Sequence, residues 1–440
     1  MNKKKIKNNS SKDKSSLTIN GNTNVIDDTP IPTKEKKSIK KNMAEKSITE
    51  NAYLASKSRY EVLDGLRGVA SFIVIIFHLF ESYTNPLEPY KEKIYHGYLA
   101  VDFFFALSGF VIGYAYDDRW GTKMNIIDFI KRRITRLHPM VILGHVVGLF
   151  LFHFGSYDFF PLIMTTPWWK LFLLFIYGCF LLPSPKQWDI RGWEEIYPLN
   201  GACWSLMWEY IANILYALII RHFNKITTMI FVGFSSLLTI NLCMNIDIFG
   251  VLDGRGSKTY SVAGGWSFDK QHMLIAITRL LYPFFCGLLI SRLNWKINVK
   301  KGGFWLCSLI ISICFCLPHI GGDEHSWMNG LYECICILII IPIVVMLGAG
   351  SQVDNNISKK LCNFLGDVSY PLYITHYPVI YMQMAWISKN PDANELSKIL
   401  TSVSIFIFSI FLAYIYLKNY DEPVREWIKN HWFQKKAKNN

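Results

Sequence analysis

The sequence predicts an all-α protein: a polytopic membrane helix bundle of about ten spanning helices plus one interfacial or re-entrant segment. Three observations predict it. Of the 440 residues, 51% are hydrophobic and 15% aromatic, against only 18% charged. The apolar residues gather into eleven runs, most of them near the roughly 17–25 residues that cross a bilayer. These runs lack the alternation of a barrel, and lipid admits only helices or closed barrels. Lastly, the net charge of +13 is concentrated in the two ends of the chain and in short loops between apolar runs. That distribution orients a membrane protein with its basic loops inside. No nucleic-acid motif accompanies the charge, so no nucleic-acid partner is expected.

Residues 1–58 come first, with thirteen Lys against six Asp or Glu. This segment cannot bury enough apolar surface to fold alone and reads as a disordered basic cytoplasmic tail. No apolar stretch follows its basic start as a signal peptide would require. The apolar runs follow at 66–83, 98–116, 137–154, 168–182, 204–220, 226–244, 272–290, 304–320, 331–347, 370–387 and 399–417. Basic residues mark 131–136, 221–225, 292–301, 358–360 and 429–438 as inside, together with the N-terminal tail. All of these can lie on one side only if the number of crossings is even. The misfit is 168–182, "WWKLFLLFIYGCFLL", short and followed by Pro183 and Pro185. It is therefore expected to lie at the interface or re-enter. Ten crossings remain, with 84–97, 183–203, 245–271, 321–330 and 388–398 facing outward. The membrane domain is assigned to 59–420 and a basic cytoplasmic tail to 421–440. Ten cysteines are scattered through the chain, without the spacing of a zinc site, and no metal is expected.

Chemistry is then sought within the bundle. In the first run Arg67 and His78 stand eleven positions apart. Eleven steps of 100° bring them to within roughly 20° on one helix face, about 16 Å apart along the axis. Arg67 falls near the inner end, beside Asp64, and His78 toward the outer half. Snorkelling would explain the first and packing the second. "FIKRRITRLHP", from Phe129 to Pro139, sets Arg132, Arg133 and Arg136 just before the third crossing. A positive-inside anchor is the plain reading; guanidinium forks that grip phosphate are the functional one. "GACWSLMWEY" places Ser205 and Glu209 four apart on one face. Arg279 lies too deep in its run to be a topology signal. Ser369, Tyr373 and His376 form a polar stripe on an apolar helix. Arg67, His78, Glu209, Arg279 and His376 are costly in lipid, so they are expected to solvate one another around a central polar cavity.

With these motifs in hand, the chain resembles the acyltransferase-3 family of integral-membrane acyltransferases, which includes O-antigen and exopolysaccharide O-acetyltransferases. Six elements match in order: Arg67 with His78; "FFFALSGF" from Phe103 to Phe110; Phe129 to Pro139; Trp204, Ser205, Leu206 and Glu209; Arg279, Phe284 and Gly287; and Ser369, Tyr370, Tyr373 and His376. The chain departs from the family at "HPMVIL", which lacks an aromatic soon after the proline. No C-terminal hydrolase-like domain of the kind that some members carry is expected. The resemblance implies transfer of an acyl group, usually acetyl, from cytoplasmic acetyl-CoA as co-substrate to a hydroxyl of a surface or lipid-linked saccharide. Applied to these residues, it makes Arg67, Arg132, Arg133 and Arg136 the holders of coenzyme A phosphates. His78 becomes the general base. Arg67, Glu209 and Ser205 join His78 as catalytic candidates, and Trp204, Arg279, Ser369, Tyr373 and His376 line the substrate cavity. Arg279 is a candidate for meeting developing oxyanion charge. Glu209 is expected to orient a histidine or to solvate an arginine, and an acyl-enzyme on His78 or Ser205 is left open. The expected location is the bacterial cytoplasmic membrane, with both termini inside. A proton-coupled transporter of an anionic or lipid-linked substrate is the competing reading, since buried Arg, Glu and His also serve transport.

Overall fold

The computed structural model describes residues 57–83, 95–121, 124–155, 160, 162–322 and 324–433. The expected disordered tail therefore lies outside the described residues except for 57 and 58. So do the last seven residues of the C-terminal tail and most of the 84–97 loop.

Each of the eleven apolar runs falls in a helix. In chain order these are α1 (Glu61–Glu81), α2 (Ala100–Tyr116), α3 (Ile126–Gly155), α4 (Trp168–Cys179), α5 (Cys203–Leu218), α6 (Lys225–Cys243), α7 (Lys270–Leu293), α8 (Gly303–Cys316), α9 (Trp327–Gly350), α10 (Asn356–Lys389) and α11 (Glu395–Tyr416). A π-helical turn at Leu417–Asp421 leads on into α12 (Glu422–Phe433), so most of the expected C-terminal tail is helical.

The expectation of about ten spans is met in part. Among the described residues, seven helices are both long and apolar enough to cross: α1, α2, α3, α6, α7, α9 and the continuous α11–α12. Helices α5 and α8 have 16 and 14 residues, about 24 and 21 Å at 1.5 Å per residue. Both fall short of a hydrocarbon core of about 30 Å. Helix α10 has 34 residues, but its polar stripe and its lysines dilute its apolar character. The 12 residues of α4 reach only about 18 Å. Several helices begin earlier than hydropathy suggests because asparagine or aspartate caps them. Asn224, Asp269, Asn355 and Asn394 each accept a hydrogen bond from the backbone N–H three residues on.

Two pairings hold the bundle core: α1 against α10, and α2 against α7. The second explains two of the motif glycines. A Cβ at Gly109 would lie 2.0 Å from the Phe284 carbonyl oxygen, and one at Gly287 would lie 2.0 Å from that of Ala106. Bare backbone lets the two helices touch, the usual packing device inside a membrane. Gly287→Ala is expected to cost about 1–3 kcal/mol by overpacking, seen as a lower apparent melting temperature in detergent. Gly233→Ala, with nothing within 4 Å, serves as the unaffected control.

Proline gaps tie the bundle together. Pro342 cannot donate to the carbonyl of Leu338, and the Tyr282 hydroxyl donates there instead at 2.8 Å. Pro378 likewise frees the Ile374 carbonyl, which accepts from Asn200 Nδ2 at 2.8 Å. The second bond fastens the 183–202 segment to α10 beside His376. A second fastening joins that segment to the loop before α7, where the Ile196 N–H donates to the Trp266 carbonyl at 2.9 Å. On the outside, Ile399, Val403, Ile407 and Phe411 are exposed at four-residue spacing, a lipid-facing stripe on α11.

Candidate active site

At the end of α1 expected to face the cytoplasm, Arg67 is fixed from α10. Its Nε donates to Ser369 Oγ at 2.8 Å and an Nη donates to the Gly366 carbonyl at 2.9 Å. Asp64 lies 3.5 Å away. Ser369 is thus the anchor of an arginine rather than a cavity wall. On α3, Arg133 donates to Glu209 Oε1 at 2.6 Å, and Ser108 donates to the same oxygen at 3.1 Å. Of the two roles expected for Glu209, it takes the second: it solvates an arginine. Arg136 is exposed, with Arg67 and Arg133 near enough to repel it. Three guanidiniums therefore share one region with the carboxylates of Asp64 and Glu209. Arg132 stands apart from them, its guanidinium 5.1 Å from the Phe433 ring centroid on α12.

At the other end of α1, His78 Nδ1 lies 2.6 Å from Glu81 Oε2. A carboxylate only accepts, so Nδ1 donates to it, and in the neutral imidazole Nε2 is the nitrogen with the lone pair. The His78 side chain is 19% exposed, so that lone pair can be reached. Its ring stacks on His376 at 5.4 Å and meets the edge of Tyr377 at 4.7 Å. His376 Nδ1 faces the Tyr373 carbonyl at 2.7 Å, and its Nε2 is buried without a hydrogen-bond partner among the described residues. Ser205 Oγ and the Tyr373 hydroxyl are 2.6 Å apart, and the Tyr373 ring lies 5.8 Å from that of His376. The structure thus joins His78, His376, Tyr373 and Ser205 in one row across α1, α10 and α5.

Arg279 is committed elsewhere. It donates to Asp102 at 2.7 Å, to the Tyr98 carbonyl at 2.7 Å and to the Gly264 carbonyl at 3.2 Å. Its guanidinium lies 5.4 Å from the Trp204 ring centroid, and a Cβ at Gly265 would also strike that ring. Arg279 therefore shapes the loop before α7. The expectation that it meets oxyanion charge is not favoured, because its donors are already engaged. Mutual solvation of five ionisable groups also gives way to local pairing. Arg67 has Asp64, Glu209 has Arg133, Arg279 has Asp102 and His78 has Glu81. Only His78 and His376 touch within the set. Asp102 and Glu81 were legible: one is the lone charge of an apolar run, the other stands three residues from His78 on the same helix.

One group among the described residues has the spacing of a metal site: His96, His319 and Glu333, with ligand atoms within 4.8 Å of one another. Those atoms are already spent on hydrogen bonds. His96 Nε2 faces Asn329 Oδ1 at 2.9 Å, His319 Nε2 faces the Tyr98 hydroxyl at 3.0 Å, and that hydroxyl donates to Glu333 at 2.5 Å. Glu333 also accepts from the Val262 N–H at 2.6 Å, which holds the loop before α7 against α9.

A family profile described as an acyltransferase domain matches residues 60–418. The O-acetyltransferase OatA of Staphylococcus aureus is 28% identical over 330 residues, covering 72% of this chain and 50% of that protein. The peptidoglycan O-acetyltransferase OatA of Listeria monocytogenes is 25% identical over 344 residues, covering 72% of this chain and 49% of that protein. The chain spans about half the length of the curated relatives it matches. No solved structure matches it significantly.

Proposed function

The chain belongs to the acyltransferase-3 family of membrane acyltransferases, and on that premise we propose that it moves an acetyl group from cytoplasmic acetyl-CoA to a hydroxyl of a cell-surface saccharide. The name of the listerial relative favours a cell-wall glycan as acceptor. In this reading the protein sits in a bacterial cytoplasmic membrane with both termini inside, and the 183–202 segment faces out.

The observation that carries the reading is the fixed tautomer of His78, whose Nδ1–H is held by Glu81 at 2.6 Å. Its Nε2 takes the proton of the acceptor hydroxyl. The hydroxyl oxygen attacks the thioester carbonyl carbon, a C–O bond forms, the C–S bond breaks, and the thiolate of coenzyme A leaves with the proton. Tyr373 and Ser205, joined hydroxyl to hydroxyl, lie on the same row; with Ser205 donating to Tyr373, the Tyr373 hydroxyl is the donor for charge on the carbonyl oxygen. The donor's phosphates bind Arg67, Arg133 and Arg136, whose mutual repulsion an anion relieves. Arg132 has a lesser part, since it rests on Phe433.

The direct test is passage of labelled acetyl from acetyl-CoA into de-O-acetylated cell-wall glycan by membranes containing the protein. Absence of transfer at confirmed expression overturns the reading. Arg136→Ala is expected to raise the KM for acetyl-CoA about tenfold with little change in kcat. A phosphate contact is made equally in ground and transition states, so it tunes binding rather than the chemical step. An unchanged donor KM would remove Arg136 from the donor site.

A further inference from the structure

Neither the arginine cluster nor the row at His78 uses Glu195, yet this carboxyl is buried at the same end of the bundle. It stands in the segment between α4 and α5 that Asn200 fastens to α10. Its Oε2 accepts from the Tyr381 hydroxyl at 3.3 Å and lies 3.9 Å from Arg191 Nε. Arg191 is itself immobilised. Its Nε donates to the Pro198 carbonyl, and its guanidinium lies 3.3 Å from the Tyr381 ring centroid, 3.9 Å from Phe152 and 4.5 Å from Phe160. An arginine held against three rings gives the carboxyl a rigid wall on one side.

The other oxygen faces the opposite way. Oε1 has no hydrogen-bond partner among the described residues. A Cβ at Gly201 would come within 2.9 Å of Oε1 and within 2.7 Å of the Tyr377 ring, so the two converge over a residue without a side chain. Tyr377 in turn meets the His78 ring edge-on at 4.7 Å. Glu81, the partner of His78, is close enough to act on Glu195 electrostatically. The unengaged oxygen therefore lies one aromatic ring away from the base. A fixed carboxylate oxygen beside an aromatic face is suited to a polyol, whose hydroxyls donate and whose C–H face packs on the ring.

We propose that Glu195 binds the acceptor saccharide, its Oε1 accepting a hydroxyl other than the one acylated, with Tyr377, which packs closely over bare Gly201, as the apolar floor. The inference rests on the acyl-transfer reading and names the acceptor side of that site. Glu195 is a binding residue here, and the proton transfer stays with His78.

The charge of Glu195 offers a second readout. Burial pushes its pKa up to about 7, against the pull of Arg191 and the Tyr381 hydroxyl, with Asp189 and Glu81 adding to the rise. Tyr377 also faces it. The acceptor-only carboxylate thus becomes the main form as pH rises past 7. The KM for saccharide should fall between pH 6 and pH 8.

The test uses the full chain in nanodiscs, with labelled acetyl-CoA as donor and de-O-acetylated cell-wall glycan fragments as acceptor probe. Glu195→Gln keeps the shape and loses the charge. It is expected to raise the acceptor KM about tenfold to hundredfold, the scale of a hydrogen bond to a charged group. The donor KM should stay unchanged, and the fall of acceptor KM with pH should disappear. Gly201→Ala, whose methyl would push Oε1 and the Tyr377 ring apart, should raise the acceptor KM in the same selective way. Wild-type transfer accompanied by a Glu195→Gln acceptor KM within twofold of wild type overturns the inference and leaves acyl transfer standing. A variant whose donor KM rises instead also overturns it. No transfer by the wild type overturns the underlying reading, and the inference with it.

Discussion

Replacing His78 by alanine is expected to lower acetyl transfer by about a hundredfold to ten-thousandfold, the range spanned by loss of a positioned general base. The loss should fall on kcat, with the KM for acetyl-CoA near its wild-type value, because Arg67, Arg133 and Arg136 lie at the other end of the bundle. Glu81→Gln separates the base from its orienting partner. The glutamine oxygen still accepts from Nδ1, so the tautomer survives, but the charge that stabilises the imidazolium is gone. About a tenfold loss is expected, well short of the alanine variant. Rates measured at matched protein levels in membranes decide the matter. Undiminished transfer by His78→Ala would end the role given to this residue, and a Glu81→Gln loss as deep as that of His78→Ala would shift the essential charge to the carboxylate.

The geometry of α1 and α10 gives that prediction a physical setting. The two helices pack along their length, with polar contact where Arg67 donates to Ser369 and ring stacking where His78 meets His376. The charge proposed to bind phosphate and the nitrogen proposed to accept the proton are therefore held on one helix pair, seven positions apart along α10. Glycines make the pair close: a Cβ at Gly68 would lie 2.4 Å from the Leu365 carbonyl oxygen. On the proposed reading, a transferred acetyl group has a fixed path length between the cluster that grips its carrier and the base that activates its acceptor.

Much of this was legible in residues alone, because helix periodicity is local. Arg67 and His78 share a face by counting, and the polar stripe Ser369, Tyr373 and His376 follows the same rule. The pairing of Glu209 with Arg133 had to be left between two options, since spacing along α5 says nothing about which neighbour arrives. Asp102 is the lone charge of its apolar run, but nothing in its spacing points to Arg279, 177 positions on. Arg132 was grouped with its neighbours by sequence proximity, yet successive helical positions point some 100° apart, and it meets α12. Glu195 was beyond reach for another reason. Its segment has no period, and its place is set by Asn200 reaching a carbonyl that Pro378 leaves free on α10, 174 positions on.

Removing the carboxylate of Asp102 is expected to produce the largest loss of stability of any single change in the bundle core. Asp102 and Arg279 have side-chain exposures of 0% and 2%, with N–O contact at 2.7 Å. Asp102→Ala leaves a guanidinium in the interior with only the carbonyls of Tyr98 and Gly264 to solvate it. Stranding one member of a buried pair costs about 3–5 kcal/mol. That exceeds the expected penalty of Gly287→Ala and should appear as the steeper fall in apparent melting temperature. The double variant Asp102→Leu with Arg279→Met discriminates between two causes. If the penalty is the lone charge, removing both charges restores most of the thermal stability, because a buried ion pair contributes little net over apolar side chains of similar size. If the double variant melts as early as Asp102→Ala, the loss comes instead from releasing the loop that Arg279 holds at Gly264 beside Trp204. The restored protein should still transfer acetyl poorly, since that loop also carries Trp266, whose carbonyl takes the Ile196 N–H next to Glu195. Stability would then be governed by the charge pair and activity by what Arg279 holds in place.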